Sequence, residues 1–134
     1  MFLYQLNLPE KMAFLQLARE LVIVDDGRID DDEMSMLMMM SNEMQISIND
    51  VFSVEFSLDR LVKQFKDKRS QKICVAELII LAFANNDYHP EQNILIQALM
   101  DVFDITNEEI IELEEWVKEL SIVYKDGIKL IEKL

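Results

Sequence analysis

Residues 12–52 and 71–111 are two copies of one pattern, 59 positions apart. With Asp26 set on Asn85, Leu21-Val22-Ile23-Val24 falls on Ile80-Leu81-Ala82-Phe83, Gly27 on Asn86, and Met36-Leu37 on Leu95-Ile96. Met40 and Met44 fall on Leu99 and Phe103, Ile46-Ser47 on Ile105-Thr106, and Val51-Phe52 on Ile110-Ile111. The repeat defines the fold and points to two equivalent acidic turns. It names no reaction.

Local signals make each copy helical. Pro9 suits the first turn of a helix, and Phe14, Leu17, Ala18 and Leu21 follow at helical spacing. Gly27 stops that helix, because glycine tolerates positive φ. Asp30 then caps the next helix, with Glu33 three residues on completing a capping box. Ser47 and Asp50 suggest another capped start, and Ser57 a helix through Leu58, Leu61, Val62 and Phe65. In the second copy a helix from about Ser70 to Ala84 stops at Asn85-Asn86, since Asn is the next residue to tolerate a left-handed turn. Pro90 opens the following helix, with Gln92 at the capping-box position. After Thr106, the spacing of Ile110, Leu113, Val117, Leu120 and Tyr124 predicts one long amphipathic helix, ended or kinked at Gly127.

Composition agrees. With 51% apolar residues and only two Gly and two Pro, the 134-residue chain is globular and rich in helix formers. One domain of this length buries a core without metal or disulfides. The expected organisation is a single all-α domain over 1–134. Its parts are repeat 1 at about 9–56, a connecting helix at about 57–68, repeat 2 at about 69–111, and a long C-terminal helix and tail at about 107–134. This is a compact bundle of about six to eight helices with internal pseudo-twofold duplication.

A net charge of −13 disfavours nucleic acid and anionic membrane as direct partners, and favours cations or basic protein surfaces. Met1 is followed by no signal-peptide pattern, and no apolar run is long enough for a transmembrane segment. The lone Cys74 forms no internal disulfide and suits a cytoplasmic location.

Asp25, Asp26, Asp30, Asp31, Asp32 and Glu33 put six carboxylates into nine residues. A hard divalent cation such as Ca²⁺ or Mg²⁺ would relieve their repulsion through oxygen ligation. Acids at a helix start also cap free amides and favour the dipole, which needs no metal. An EF-hand is excluded, because counting from Asp25, Asp26 or Asp30 puts no Glu at the twelfth place. The candidate ligands are Asp26, Asp30, Glu33 and Asp25, joined by Asp87 or Glu91 from the second turn.

The methionines at 34, 36, 38, 39, 40 and 44 invite a thioether site for Cu(I). Met36, Met40 and Met44, however, stand where the second copy has Leu95, Leu99 and Phe103, so core packing is the shared requirement. Met34, Met38 and Met39 are harder to bury together, and one of them could mark an exposed contact patch. His89, the only histidine, precedes Pro90 and has no defined partner. Cys74 falls on Leu15 and behaves as a small buried hydrophobe. The segment 60–72 is the basic stretch of the chain. It could bind an acidic partner, the acidic turns of a second molecule included, or form a solvated connecting face. Trp116, at the edge of the packed stripe, could anchor the core or a homodimer contact.

The segments Leu17-Ala-Arg-Glu-Leu-Val-Ile-Val-Asp-Asp-Gly-Arg-Ile-Asp30 and Glu77-Leu-Ile-Ile-Leu-Ala-Phe-Ala84 with Pro90-Glu91 resemble the TerB-like domains of tellurite-resistance and related bacterial stress proteins. The resemblance extends from about Leu6 to Ile131. It implies a compact all-α bundle whose two acidic turns approach each other and bind divalent metal, and a link to stress response, phage defence and membrane-associated complexes. Asn85-Asn86 departs from the Asp-Gly of that family and removes one carboxylate. The expected function is a non-enzymatic acidic helical module, bacterial and cytoplasmic, that binds divalent cations or partner proteins. The alternatives are a pure protein–protein adaptor and a metal-dependent hydrolase, which would need an enclosed pocket.

Overall fold

The computed structural model describes residues 1–24, 27–84 and 90–133. Among these, a 3-10 turn (Leu3–Gln5) precedes seven α-helices: α1 (Leu8–Ile23), α2 (Asp31–Met44), α3 (Asn49–Phe52), α4 (Leu58–Val62), α5 (Lys68–Phe83), α6 (Pro90–Phe103) and α7 (Asn107–Glu132). No strand occurs among the described residues.

α1 and α5 pack on each other at the centre. α2, α3 and α4 pack on α1, while α6 and α7 pack on α5. The central pair is buried nearly all round. Residues 13–18 of α1 and 73–79 of α5 are buried without interruption, as expected of helices with neighbours on every side. Phe14, Leu15, Leu17, Leu21, Leu78 and Ile79 form the centre of the core. Each such side chain contributes about 1.5–3 kcal/mol by leaving water.

The helices start where their polar residues can cap them. Pro9 stands in the first turn of α1 as expected, and Asn7 caps that helix. The Asn7 side chain accepts from the Glu10 amide at 2.9 Å while Glu10 accepts from the Asn7 amide at 2.8 Å. Asp67 caps α5 by accepting from the Ser70 amide, and Thr106 caps α7 by accepting from the Glu109 amide. Ser47 departs from expectation: its hydroxyl accepts from Asn49, not Asp50, and α3 has no side-chain cap. Ser57 does cap α4, but that helix ends at Val62 and Phe65 is buried beyond it. α7 continues through Gly127 to Glu132, so the helix does not end there.

The duplication carries two registers. α2 and α6 lie 59 positions apart at both ends, as the sequence alignment has them. Their C-termini match in detail. Gln45 and Asp104 are left-handed at φ 58° and 54°, and Ile46 and Ile105 donate back to the carbonyls of Ser41 and Met100. α1 and α5 lie 60 apart at both ends, and so do their caps, Asn7 and Asp67. Burial follows the second register: Leu21 and Val22 match Leu81 and Ala82, which are buried, while Ile80 is only half-buried. Cys74 therefore corresponds to Phe14 and not to Leu15. Seven residues join α1 to α2 and six join α5 to α6, so the second connection is one residue shorter.

Candidate functional site

Of the six candidate metal ligands, Asp25, Asp26 and Asp87 lie outside the described residues, as does His89. Asp30 and Glu33 are brought together as a capping box. The Asp30 carboxylate accepts from the Glu33 amide at 2.8 Å, and the Glu33 carboxylate accepts from the Asp30 amide at 3.1 Å. Both acids thus meet free amides at the positive end of α2. Upstream, Gly27 sits at φ 74° and donates to the Ile23 carbonyl at 2.7 Å, which ends α1 as its residue type predicts. Glu91 is an exposed residue in the first turn of α6. Among the described residues no three His, Cys, Asp or Glu side chains are placed to hold one ion.

The position of α6 that corresponds to Glu33 is Gln92, and it is buried. Gln92 is 4% exposed and donates from its side-chain amide to the Leu21 carbonyl at 3.1 Å. Leu21 is in the last turn of α1, where carbonyls lack partners inside the helix. Gln92 therefore bonds the end of α1 from the neighbouring repeat.

A buried carboxylate escaped sequence reasoning altogether. Glu77, 1% exposed in the middle of α5, accepts from the Phe2 amide at 2.8 Å. The Met1 ammonium stands 3.2 Å from it and 2.6 Å from Glu43 on α2. These groups compensate a charge that would otherwise be costly to bury. Burial alone would lower the Met1 ammonium pKa, but the hydrogen bond it donates to Glu43 and the charge of Glu77 outweigh it and raise the value above 8.0. The available signal was an acid inside an apolar run, between Ala76 and Leu78. Cys74 is fully buried, and burial with the nearby Glu10 charge pushes its thiol pKa far up, so the thiolate needed for nucleophilic chemistry is suppressed.

The methionines divide as their counterparts predict. Met40 and Met44 are buried and Met36 packs against the core, whereas Met38 and Met39 are exposed. Trp116 stacks on Phe2 with ring centroids 5.9 Å apart, which ties the N-terminal segment to α7.

Two surfaces stand out. The first is α7, about 39 Å long at the usual helical rise. Its last buried residue is Val117, and beyond it Ile122, Val123, Tyr124, Ile128, Leu130 and Ile131 are all exposed. Helical spacing puts Val123, Tyr124, Leu130 and Ile131 on one side, opposite Lys118, Lys125, Lys129 and Lys133. The second is a groove of about 440 Å³ between the N-terminal segment, α5 and α7, lined in part by Phe2, Lys68, Arg69, Lys72, Ile73 and Leu113. A second depression of about 400 Å³ lies between Phe83, Pro90, Asn93 and Glu114. No helix among the described residues is long and apolar enough to cross a membrane.

No protein-family model matches this chain, and no curated protein matches it either. Its structure is similar to that of a tellurite resistance protein from Nostoc punctiforme. The match has a TM-score of 0.71 at 14% identity and covers 92% of this chain and 81% of the other. At that identity the likeness is one of architecture, and it matches the bundle expected from the duplicated helix–turn–helix: the chain has the TerB-like fold.

Proposed function

We propose that this chain is a non-enzymatic helical module of a bacterial stress response that works by binding partner proteins. The observation behind this reading is the second half of α7, where Val123, Tyr124, Leu130 and Ile131 stand exposed on one side of the helix. A contiguous apolar face of this kind is a feature of interaction sites. The tellurite-resistance label of the structural neighbour supports a stress-linked role. The test is a Val123→Lys/Leu130→Lys variant. Both positions are exposed, so stability should change by no more than ~0.5 kcal/mol. A partner captured by the wild type and then purified should bind the wild type and not the variant. Equal binding to both would remove α7 as the contact.

A second reading adds a divalent cation at the acidic turn, favoured by six carboxylates in nine residues. It is tested by thermal unfolding of EDTA-stripped protein titrated with Ca²⁺, Mg²⁺, Mn²⁺ and Zn²⁺. Binding to the native state raises the melting temperature by mass action. The control is Asp26→Asn/Asp30→Asn, in which Asn at position 30 still caps α2 but both charges are gone. A saturable rise for one ion, lost in the variant, supports the site. An equal small rise for every ion is charge screening and rejects it.

A further inference from the structure

The groove between the N-terminal segment, α5 and α7 has a character unlike the rest of the molecule. Its floor is apolar, made by Phe2, Ile73 and Leu113, and its rim carries Lys68, Arg69 and Lys72. The chain holds 26 acidic residues against 13 basic ones, yet six of the basic residues fall within 60–72. Three of those six line this groove.

Two of the three rim charges are held in place by neutral groups, and the third is paired with an acid. Lys68 donates to the Phe103 and Asp104 carbonyls at the end of α6, and Arg69 donates to the Gln5 side chain. All three acceptors are neutral, so both cations keep their charge. Lys72 pairs with Glu109 at 3.0 Å, and this contact holds the Glu109 carboxyl below its usual range. Asp67, the cap of α5, keeps its negative charge but is not among the lining residues. The groove lining therefore holds three basic residues and no acid on a strongly negative protein, with Lys68 and Arg69 pre-positioned by neutral acceptors.

We infer that this groove docks an acidic, amphipathic peptide segment of a partner protein, with its apolar side chains on Phe2, Ile73 and Leu113 and its carboxylates on Lys68, Arg69 and Lys72. Charge complementarity selects the occupant. A basic segment would be repelled at the rim, and a purely apolar one would leave the cations unused. The apolar floor supplies affinity, and the rim supplies orientation and salt-dependent association. This site goes beyond the α7 face proposed above: Val123 and Leu130 are not among its lining residues, so either surface can fail without the other.

The test titrates the whole protein with a synthetic amphipathic peptide that has Leu and Phe on one face and Glu on the other. The control peptide has Lys in place of each Glu. Trp116 fluorescence follows binding, since that ring stacks on Phe2 at the floor. The Glu peptide should bind saturably and the Lys peptide should not. An Arg69→Glu/Lys72→Glu variant should weaken the Glu peptide by about tenfold or more, and added salt should weaken the wild type similarly. Lys129→Glu/Lys133→Glu, which changes net charge equally but lies on the α7 tail, should weaken it by less than about twofold. If circular dichroism shows the groove variant misfolded, Arg69→Gln with its salt dependence replaces it. Several outcomes overturn the proposal. These are equal weakening by both charge reversals, equal binding of both peptides, and no saturable binding at all. Self-association of the wild type that the groove variant abolishes would overturn it too, by making the occupant a second copy of this chain.

Discussion

The two repeats share a backbone plan and use their polar residues differently. In the first, Glu33 is half-buried and engages the cap of its own helix. In the second, the corresponding Gln92 is buried and reaches the carbonyl of Leu21 in the other repeat. In the first, Leu17 fills the core. In the second, the corresponding Glu77 sits at equal depth and is neutralised by the chain's own amino end. A duplicated helix pair thus keeps its packing positions while individual polar side chains take on new structural tasks. The first repeat keeps an acidic turn next to its cap, and the second uses the matching region to bind the halves together.

The largest expected effect tests the register itself. If α1 and α5 correspond at 60 positions, Leu21→Ala and Leu81→Ala each open a core cavity and cost about 2–5 kcal/mol. Ile80→Ala, at a half-buried position, should cost only about 1 kcal/mol. Urea unfolding monitored by circular dichroism measures all three. Were Ile80→Ala as damaging as Leu21→Ala and Leu81→Ala mild, the 59-position register would hold through the central helices as well.

Next in size is the polar exchange between the repeats. Gln92→Ala leaves the Leu21 carbonyl buried without this partner and should cost ~1–3 kcal/mol. Glu33→Ala removes half of a capping box with water nearby and should cost ~0.5–1 kcal/mol. The same urea assay compares them. Equal costs would mean that Gln92 adds nothing as a link between repeats.

The pH dependence follows from the Met1 ammonium and the two acids that hold it, Glu43 and Glu77. Because the Met1 ammonium has a raised pKa in the folded protein, its contribution is fully present below the unfolded value of 8.0. It is lost as pH rises through the folded value, when the amino group gives up its proton and Glu77 and Glu43 lose their counter-charge. Melting temperature should therefore fall from about pH 8 upward. Glu77→Leu, which restores the residue type of Leu17, should flatten that fall. A wild-type melting temperature that stays level across this range would show that the ammonium does not stabilise the folded state.

Much of this architecture was legible from residues 12–52 and 71–111, because helix packing is dictated by apolar spacing and that spacing survives duplication. The αL stop at Gly27, the caps at Asp30 and Thr106, and the core role of Met40 and Met44 all follow from local chemistry. The register slip did not. A one-residue change inside a connection leaves both helices periodic, and Leu21 to Val24 match Ile80 to Phe83 almost as well as they match Leu81 to Ala84. Glu77 and Gln92 were opaque for another reason: their partners, the Phe2 amide and the Leu21 carbonyl, are backbone groups distant in sequence. For the candidate metal site, only Asp30, Glu33 and Glu91 fall among the described residues. The first two act as caps there, a role their sequence spacing had already offered.

The smallest effect probes where the repeats agree most closely. Gln45 and Asp104 both end their helices in left-handed backbone, and in both cases the next amide closes the turn onto a carbonyl five residues back. A side chain in that conformation is strained by contact between Cβ and the following carbonyl, and glycine removes the contact. Gln45→Gly and Asp104→Gly should therefore stabilise the protein, although glycine also adds freedom to the unfolded chain. The gains need not be equal. A short polar side chain such as Asp tolerates left-handed backbone better than a long one such as Gln. Lys68 bonds the main-chain carbonyl of Asp104, which survives the substitution. Gln45→Gly should thus gain about 1 kcal/mol and Asp104→Gly roughly half of that. Destabilisation in either variant would mean that its side chain holds the turn through a contact that outweighs the strain.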